Sequence, residues 1–148
     1  MALSTAVGVD MTNAIYDAAR YRFAIAALDW RAANTLLVAW SGVPDFLPGD
    51  TTVAAIKGRG NVELGRSLAI LAKTVAAAGN LQTGNVVIPA IAAGPTITWF
   101  TMCLEQVAPD NAIPLLFVDD AENLPFACNG IDVTVQPDWA ESRGWGRL

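Results

Sequence analysis

The chain of 148 residues contains no histidine. That absence excludes Ser-His-Asp and Cys-His nucleophilic systems and every His-ligated zinc site. Charge is scarce too: Asp, Glu, Lys and Arg make up 16% of the residues, against about 25% in an ordinary soluble domain. No run reaches the roughly 18 uninterrupted apolar residues of a spanning helix. The longest apolar stretch, Leu68 to Ala78, is broken by Lys73 and Thr74. The first ten residues lack a basic leader and a long apolar core, so a soluble chain with its mature N-terminus is the expectation. No basic block exists, and nine Lys+Arg against fourteen Asp+Glu leave a net charge of -5. That balance argues against a dedicated nucleic-acid binder. Cysteine is limited to Cys103 and Cys128, both among apolar neighbours. They read as buried free thiols of a reducing cytosol, with a disulfide between them as the alternative.

What is abundant is apolar: 53% of the residues are hydrophobic, and five are tryptophan. Such a balance excludes disorder. A chain of this length buries about 68–70% of the surface its unfolded form exposes, enough for a core without metals or disulfides. One domain spanning residues 1–148 is expected.

Thr12 or Asn13 can cap a helix running to about Ala27, with Ile15, Ala18, Ala19, Arg22, Phe23 and Ala26 forming its stripe. Thr35 to Trp40 is a branched and aromatic run closed by Ser41-Gly42-Val43-Pro44, a buried strand. Pro48-Gly49 marks a turn, and Thr51 to Ile56 fits either a helical turn or a strand. Lys57-Gly58-Arg59-Gly60-Asn61 reads as a flexible basic loop. One or two strands are expected between Arg66 and Ala78. Further strands are expected at Asn85–Pro89, Thr96–Leu104, Leu115–Val118 and Ile131–Val135, the last with Ile131, Val133 and Val135 on one face. Short strands at this spacing, separated by Gly, Pro, Asn and Asp, indicate a mainly β fold: a β-sandwich, jelly-roll-like, with an N-terminal helix. An aromatic tail covers about 137–148.

Three features invite chemistry. The Lys57–Gly60 glycines could let backbone amides approach an anion, but the P-loop ending is missing, and an exposed surface turn suits the residues better, with a contact to a neighbouring acidic protein surface as the alternative. Asp119-Asp120-Ala121-Glu122 could bind a divalent cation, yet lacks the EF-hand spacing and reads as a solvated turn. Trp139 and Trp145, interleaved with Arg143 and Arg147, have the composition of an interface hot spot. They dock either on their own body or on a partner chain. No catalytic residue, metal ligand or cofactor is expected, and Lys57, Arg59, Trp139, Arg143, Trp145 and Arg147 are the candidate partner-binding residues.

Two blocks carry a family resemblance. Ile15-Tyr16-Asp17-Ala18-Ala19-Arg20-Tyr21-Arg22-Phe23, then Leu28-Asp29-Trp30, then Thr35-Leu36-Leu37-Val38, resembles small tailed-phage virion proteins that begin with a Tyr-Asp-x-x-Arg-x-x-Phe helix and an Asp-Trp step. Leu124-Pro125 through Asn129-Gly130-Ile131-Asp132-Val133-Thr134-Val135 is similar to a second segment of that family, and Asp119-Asp120-Ala121 to the acidic turn before it. The resemblance implies a head decoration or cement protein on the outer capsid surface of a virion. Its implied partner is the major capsid protein, and a homo-oligomer, dimer or trimer, is implied, with neither nucleic acid nor membrane as partner. A tail, neck or baseplate component is the alternative within that class. A carbohydrate-binding module or a carboxylate-based hydrolase is the alternative outside it.

Overall fold

The computed structural model describes residues 2–5, 14–75, 80–119, 124–137 and 146–147. In chain order the strands are β1 (Ala2–Thr5), β2 (Ala14–Ile15), β3 (Thr35–Ser41), β4 (Val62–Arg66), β5 (Thr74–Val75), β6 (Asn80–Gln82) and β7 (Val86–Ile88). They continue as β8 (Thr96–Ile97), β9 (Trp99–Leu104), β10 (Ile113–Val118), β11 (Phe126–Ala127), β12 (Val133–Pro137) and β13 (Gly146–Arg147). Two helices, α1 (Asp17–Ala24) and α2 (Val53–Gly58), and a 3-10 turn at Pro109–Asn111 accompany them.

The apolar run Leu36–Trp40 forms a strand that is covered on both sides. Leu37 and Ala39 of β3 enter the main core cluster, whereas Leu36, Val38 and Trp40 enter a second one. Strand β9 repeats the split, with Phe100 and Met102 on one side and Trp99 and Cys103 on the other. Continuous hydrophobicity rather than alternation is what such double burial demands. These two strands lie at the heart of an antiparallel five-stranded sheet of order β2-β10-β9-β3-β4. Small sheets of order β1-β12-β7, β11-β8 and β13-β6-β5 accompany it. Ile88, Ile97, Phe126, Val133 and Val135 from these pieces join the main core against the central sheet. The result is mainly β and sandwich-like, an open sandwich with a short N-terminal helix. No helix among the described residues is long and apolar enough to cross a membrane.

The N-terminal helix is shorter than its sequence pattern predicts. Thr12 and Asn13 lie outside the described residues, Ala14 and Ile15 pair with β10 as a strand, and Tyr16 occupies the N-cap without a side-chain cap bond. At the other end Ala26 takes a left-handed conformation (φ 56°), which reverses the chain before Ala27 can extend the helix. Of the expected stripe, Ala19 is the one fully buried helical residue and Ala26 is exposed.

The run left open at Thr51–Ile56 is helical. Thr52 accepts a bond from Ala55 N–H (3.2 Å), while Val53 and Ile56 bury completely. The flexible loop expected at Lys57–Asn61 is instead a fixed corner: Lys57 and Gly58 close α2, Arg59 is its C-cap, and Gly60 (φ +91°) turns the chain into β4. In the Arg66–Ala78 run, β4 ends at Arg66 and β5 is two residues long, with residues 76–78 outside the described set. Residues 67–73 form no ladder, bend at Leu68 and at the left-handed Ala72 (φ 53°), and are tied by single bonds such as Ser67 N–H to Leu37 O (2.8 Å) and Ile70 N–H to Thr35 O (2.9 Å). Thr98 bonds to Trp40 O and splits the expected 96–104 strand into β8 and β9. The strands expected at Asn85–Pro89, Leu115–Val118 and Ile131–Val135 are present as β7, β10 and β12. Val133 and Val135 are buried, whereas Ile131 precedes β12 and is half exposed.

Candidate interaction surfaces

Lys57 and Arg59 were the clearest candidates in the body of the domain, and both are engaged by acids of their own chain. Arg59 grips Asp50 with two parallel bonds, Nη1 to Oδ1 (2.6 Å) and Nη2 to Oδ2 (2.7 Å). Its Nε reaches Asp45 Oδ2 at 2.8 Å. Such a fork is the strong form of an ion pair, and here the Asp50 side chain is only 3% exposed. These bonds, Asp50 first, hold the Arg59 guanidinium even more firmly protonated than usual. Arg59, followed by Asn61 (2.7 Å), holds the Asp45 carboxyl below the usual carboxylate range. Lys57 meets Asp110 (2.6 Å) and Glu63 (2.8 Å), which raise its pKa, and Lys57 in turn lowers that of Asp110. Arg66 bonds to Glu63 and donates from Nη1 to Pro109 O (2.8 Å), closing a network across α2, β4 and the 3-10 turn.

Behind this charged corner lies an aromatic cluster. Trp40 and Trp99 stack with ring centroids 5.2 Å apart, and Phe46 sits against both Tyr16 (4.9 Å) and Phe117 (5.1 Å). The Trp40 indole donates to Thr101 Oγ1 (2.9 Å). The Tyr16 hydroxyl and the Trp99 indole N–H are buried without a hydrogen-bond partner among the described residues. Burial pushes the Tyr16 hydroxyl far above its ordinary range and the Cys103 thiol up to about 12. Both cysteines are buried free thiols.

Of the remaining candidates, Trp139, Arg143 and Trp145 lie outside the described residues. Arg147 is placed by its backbone in β13, opposite Asn80 of the same chain. Asp120 and Glu122 of the acidic turn are likewise outside the described residues. The structure therefore does not bring Lys57 and Arg59 together with the tail into one described site.

A different surface stands out. An open groove of about 480 Å³ lies between the end of α1, the segment after it and β5, lined by Phe23, Ala26, Leu28, Trp30 and Val75 with Asp29 and Arg31 at its rim. Trp30 is held in place by its indole N–H, which donates to Thr74 O (3.0 Å) and Gln82 O (3.3 Å). Beside the groove, Tyr21 and Ile25 stand one turn apart on α1, 66% and 53% exposed. Leu68 and Leu71, on the segment leading into β5, are similarly exposed.

No protein-family model, curated protein or solved structure matches this chain.

Sequence reasoning placed the binding residues at the basic corner and the tail and missed the α1 groove. A signal for it was present. Tyr21 and Ile25 sit four residues apart on the side of α1 opposite Ala19, and the run from Leu68 to Val75 holds more apolar residues than its one buried member, Ile70, requires.

Proposed function

We propose that this chain is a structural component of a tailed-phage virion, a decoration protein that cements the outside of the head shell through protein–protein contacts. The observation that carries the reading is the apolar surface around the α1 groove. Singly scattered exposed hydrophobic residues are ordinary, but here the exposed Tyr21 and Ile25 accompany an open groove lined by Phe23, Ala26, Leu28, Trp30 and Val75, a concentration that suits contact with another protein. The two sequence blocks behind the resemblance also support it. Leu28 and Trp30 of the first block and Phe126, Val133 and Val135 of the second lie in one core cluster, while Tyr16, Leu36 and Val38 of the first lie in the other. Charge-matched side chains at the α2 corner and a central sheet buried on both faces suit a rigid clamp.

The test is made on purified particles with and without the protein. Particles lacking it are expected to break at lower temperature or lower ionic strength than complete ones, and re-addition is expected to restore them. Equal robustness of the two preparations would refute cementing. Counting copies separates placements, since on the order of hundreds per particle fits a shell lattice, whereas a single ring fits the neck or tail.

A further inference from the structure

Residues 43–49 leave β3 through Gly42, return to the body at Asp50 and belong to no ladder. Val43, Pro44, Leu47, Pro48 and Gly49 are exposed, so the segment is held by its two half-buried residues, Asp45 and Phe46. Phe46 lies against Tyr16 and Phe117, with ring centroids 4.9 and 5.1 Å away. Asp45 accepts from Arg59 Nε (2.8 Å) and Asn61 Nδ2 (2.7 Å). The backbone adds Pro48 O, which accepts from Asp17 N–H (2.9 Å), and Leu47 O, which accepts from Asp50 N–H (3.0 Å). Both ends are firm: Thr98 Oγ1 donates to Gly42 O, and the Arg59 fork holds Asp50. Gly42 (φ +87°) and Gly49 stand in open space, where even a Cβ would meet nothing within 4 Å. They are suited to act as hinges, which need room to change their backbone angles.

Closure of this segment carries a cost. The Tyr16 hydroxyl, beside Phe46, is buried with no partner among the described residues, and so is the Trp99 indole N–H of the same cluster. A polar group that forfeits water without gaining a partner opposes burial, and opening returns the water to it. Against that stand the packing of Phe46 and the charge-assisted bonds of Asp45. Segments with few buried contacts and no ladder bonds are those that open locally while the rest of a domain stays folded.

We infer that residues 43–49 are a strap, latched by Asp45 on Arg59 and plugged by Phe46, that opens as a unit while the core and the Arg59–Asp50 fork stay in place. The unpartnered Tyr16 hydroxyl favours the open form. Opening uncovers Tyr16 and Phe117, so the chain holds an aromatic face that the strap keeps closed. The inference concerns this chain alone and does not depend on the virion reading.

The experiment is native-state amide exchange on the full chain, followed by NMR in urea concentrations below the unfolding transition. Asp17 N–H is the reporter, because it heads α1 and bonds to Pro48 O of the strap rather than within the helix. It is expected to exchange through an opening at least about 100-fold more populated than the one that frees the amides of β3 and β9, with little dependence on urea. Asp45→Ala, which removes the latch, is expected to quicken Asp17 exchange about tenfold. Should that variant fail to fold, Asp45→Asn takes its place with the same direction. Tyr16→Phe, which removes the unpartnered hydroxyl, is expected to slow the exchange several-fold. Ile88→Val, in the core cluster away from the strap, is expected to quicken the β9 amides and leave Asp17 unchanged. One free energy and one urea slope shared by Asp17 and the β9 amides would overturn the inference. So would a folded Asp45 variant with unchanged Asp17 exchange, since fraying of α1 would then free that amide. Quickened exchange in Tyr16→Phe would overturn it as well, because the hydroxyl would then be holding the strap shut.

Discussion

Replacing Arg59 by leucine tests whether this cation belongs to the fold or to a partner. The substitution removes three charge-assisted bonds of 2.6–2.8 Å and leaves the Asp50 carboxylate, 3% exposed, without its counter-ion. Stripping one member from a buried pair costs about 3–5 kcal/mol, mainly because the orphaned charge stays desolvated. Arg59 is itself 30% exposed, and water entering where the guanidinium was lowers the expected loss to about 2–4 kcal/mol. For a domain of this size that is a fall in melting temperature of roughly 5–15 °C. Urea denaturation followed by tryptophan fluorescence suits the measurement, since Trp40 and Trp99 lie in the cluster beneath this corner. Asp50→Asn in the leucine background should recover part of the loss, with a coupling of about 1–3 kcal/mol in the double-mutant cycle. A loss below about 0.5 kcal/mol, or additive single effects, would refute the structural role. The pattern expected of a partner contact is the reverse: unchanged unfolding and weakened particle loading.

Acid should erode the same corner. Asp45 and Asp110 have pKa values below their ordinary 3.8 when folded, so the stability they contribute is complete above that value and is lost as the pH falls through the folded pKa. Denaturation midpoints should hold from neutrality to about pH 5 and decline below about pH 4, and a midpoint that drops between pH 7 and 5 would contradict the linkage. Cys103, pushed up from 9.0 to about 12 by burial, should resist thiol reagents at pH 8 and react only at the rate of unfolding; rapid labelling of the native protein would disprove its burial. Gly65→Ala should destabilise by about 1 kcal/mol, because the new methyl would meet the Ile91 side chain at 3.1 Å. Ile91→Val in the same chain should restore part of that loss, and a neutral Gly65→Ala would show that Ile91 yields freely.

The strands that could be read from sequence are those whose environment is written into their composition. β3, β9 and β10 are buried on both faces, so their apolar runs stand out between turn residues. β4 (Val-Glu-Leu-Gly-Arg) escaped because two of its five side chains are charged and one position is glycine. Its place comes from pairing with β3 around a register shift, not from any local preference. The two-residue ladder β11 is too short for period two to register, while β5 and β8 fall inside longer expected runs whose breaks the composition does not mark. The end of α1 depends on the left-handed Ala26, a conformation that alanine does not announce. The two cations of the α2 corner looked free because the fold brings their acids together at no regular spacing: Asp110 is 53 residues from Lys57, while Asp45 and Asp50 are 14 and 9 from Arg59. The groove was hidden for a similar reason, since Val75 reaches Phe23 and Trp30 only through the tertiary fold.

The pairing of β1 with β12 has a consequence for how the molecule is made. Ala2 lies beside Thr134, so β1 cannot pair until a segment far along the chain has been made. The central sheet has all its strands once Val118 has been added, yet the core against Leu37, Phe100 and Met102 is complete only when Phe126, Val133 and Val135 follow. At about 5–20 residues per second that interval lasts on the order of one to a few seconds. During it a nascent chain leaves part of that apolar core open to everything nearby, including other nascent copies. A chain rich in hydrophobic residues and poor in charge is therefore most exposed to wrong association in the interval between the making of Val118 and that of Val135.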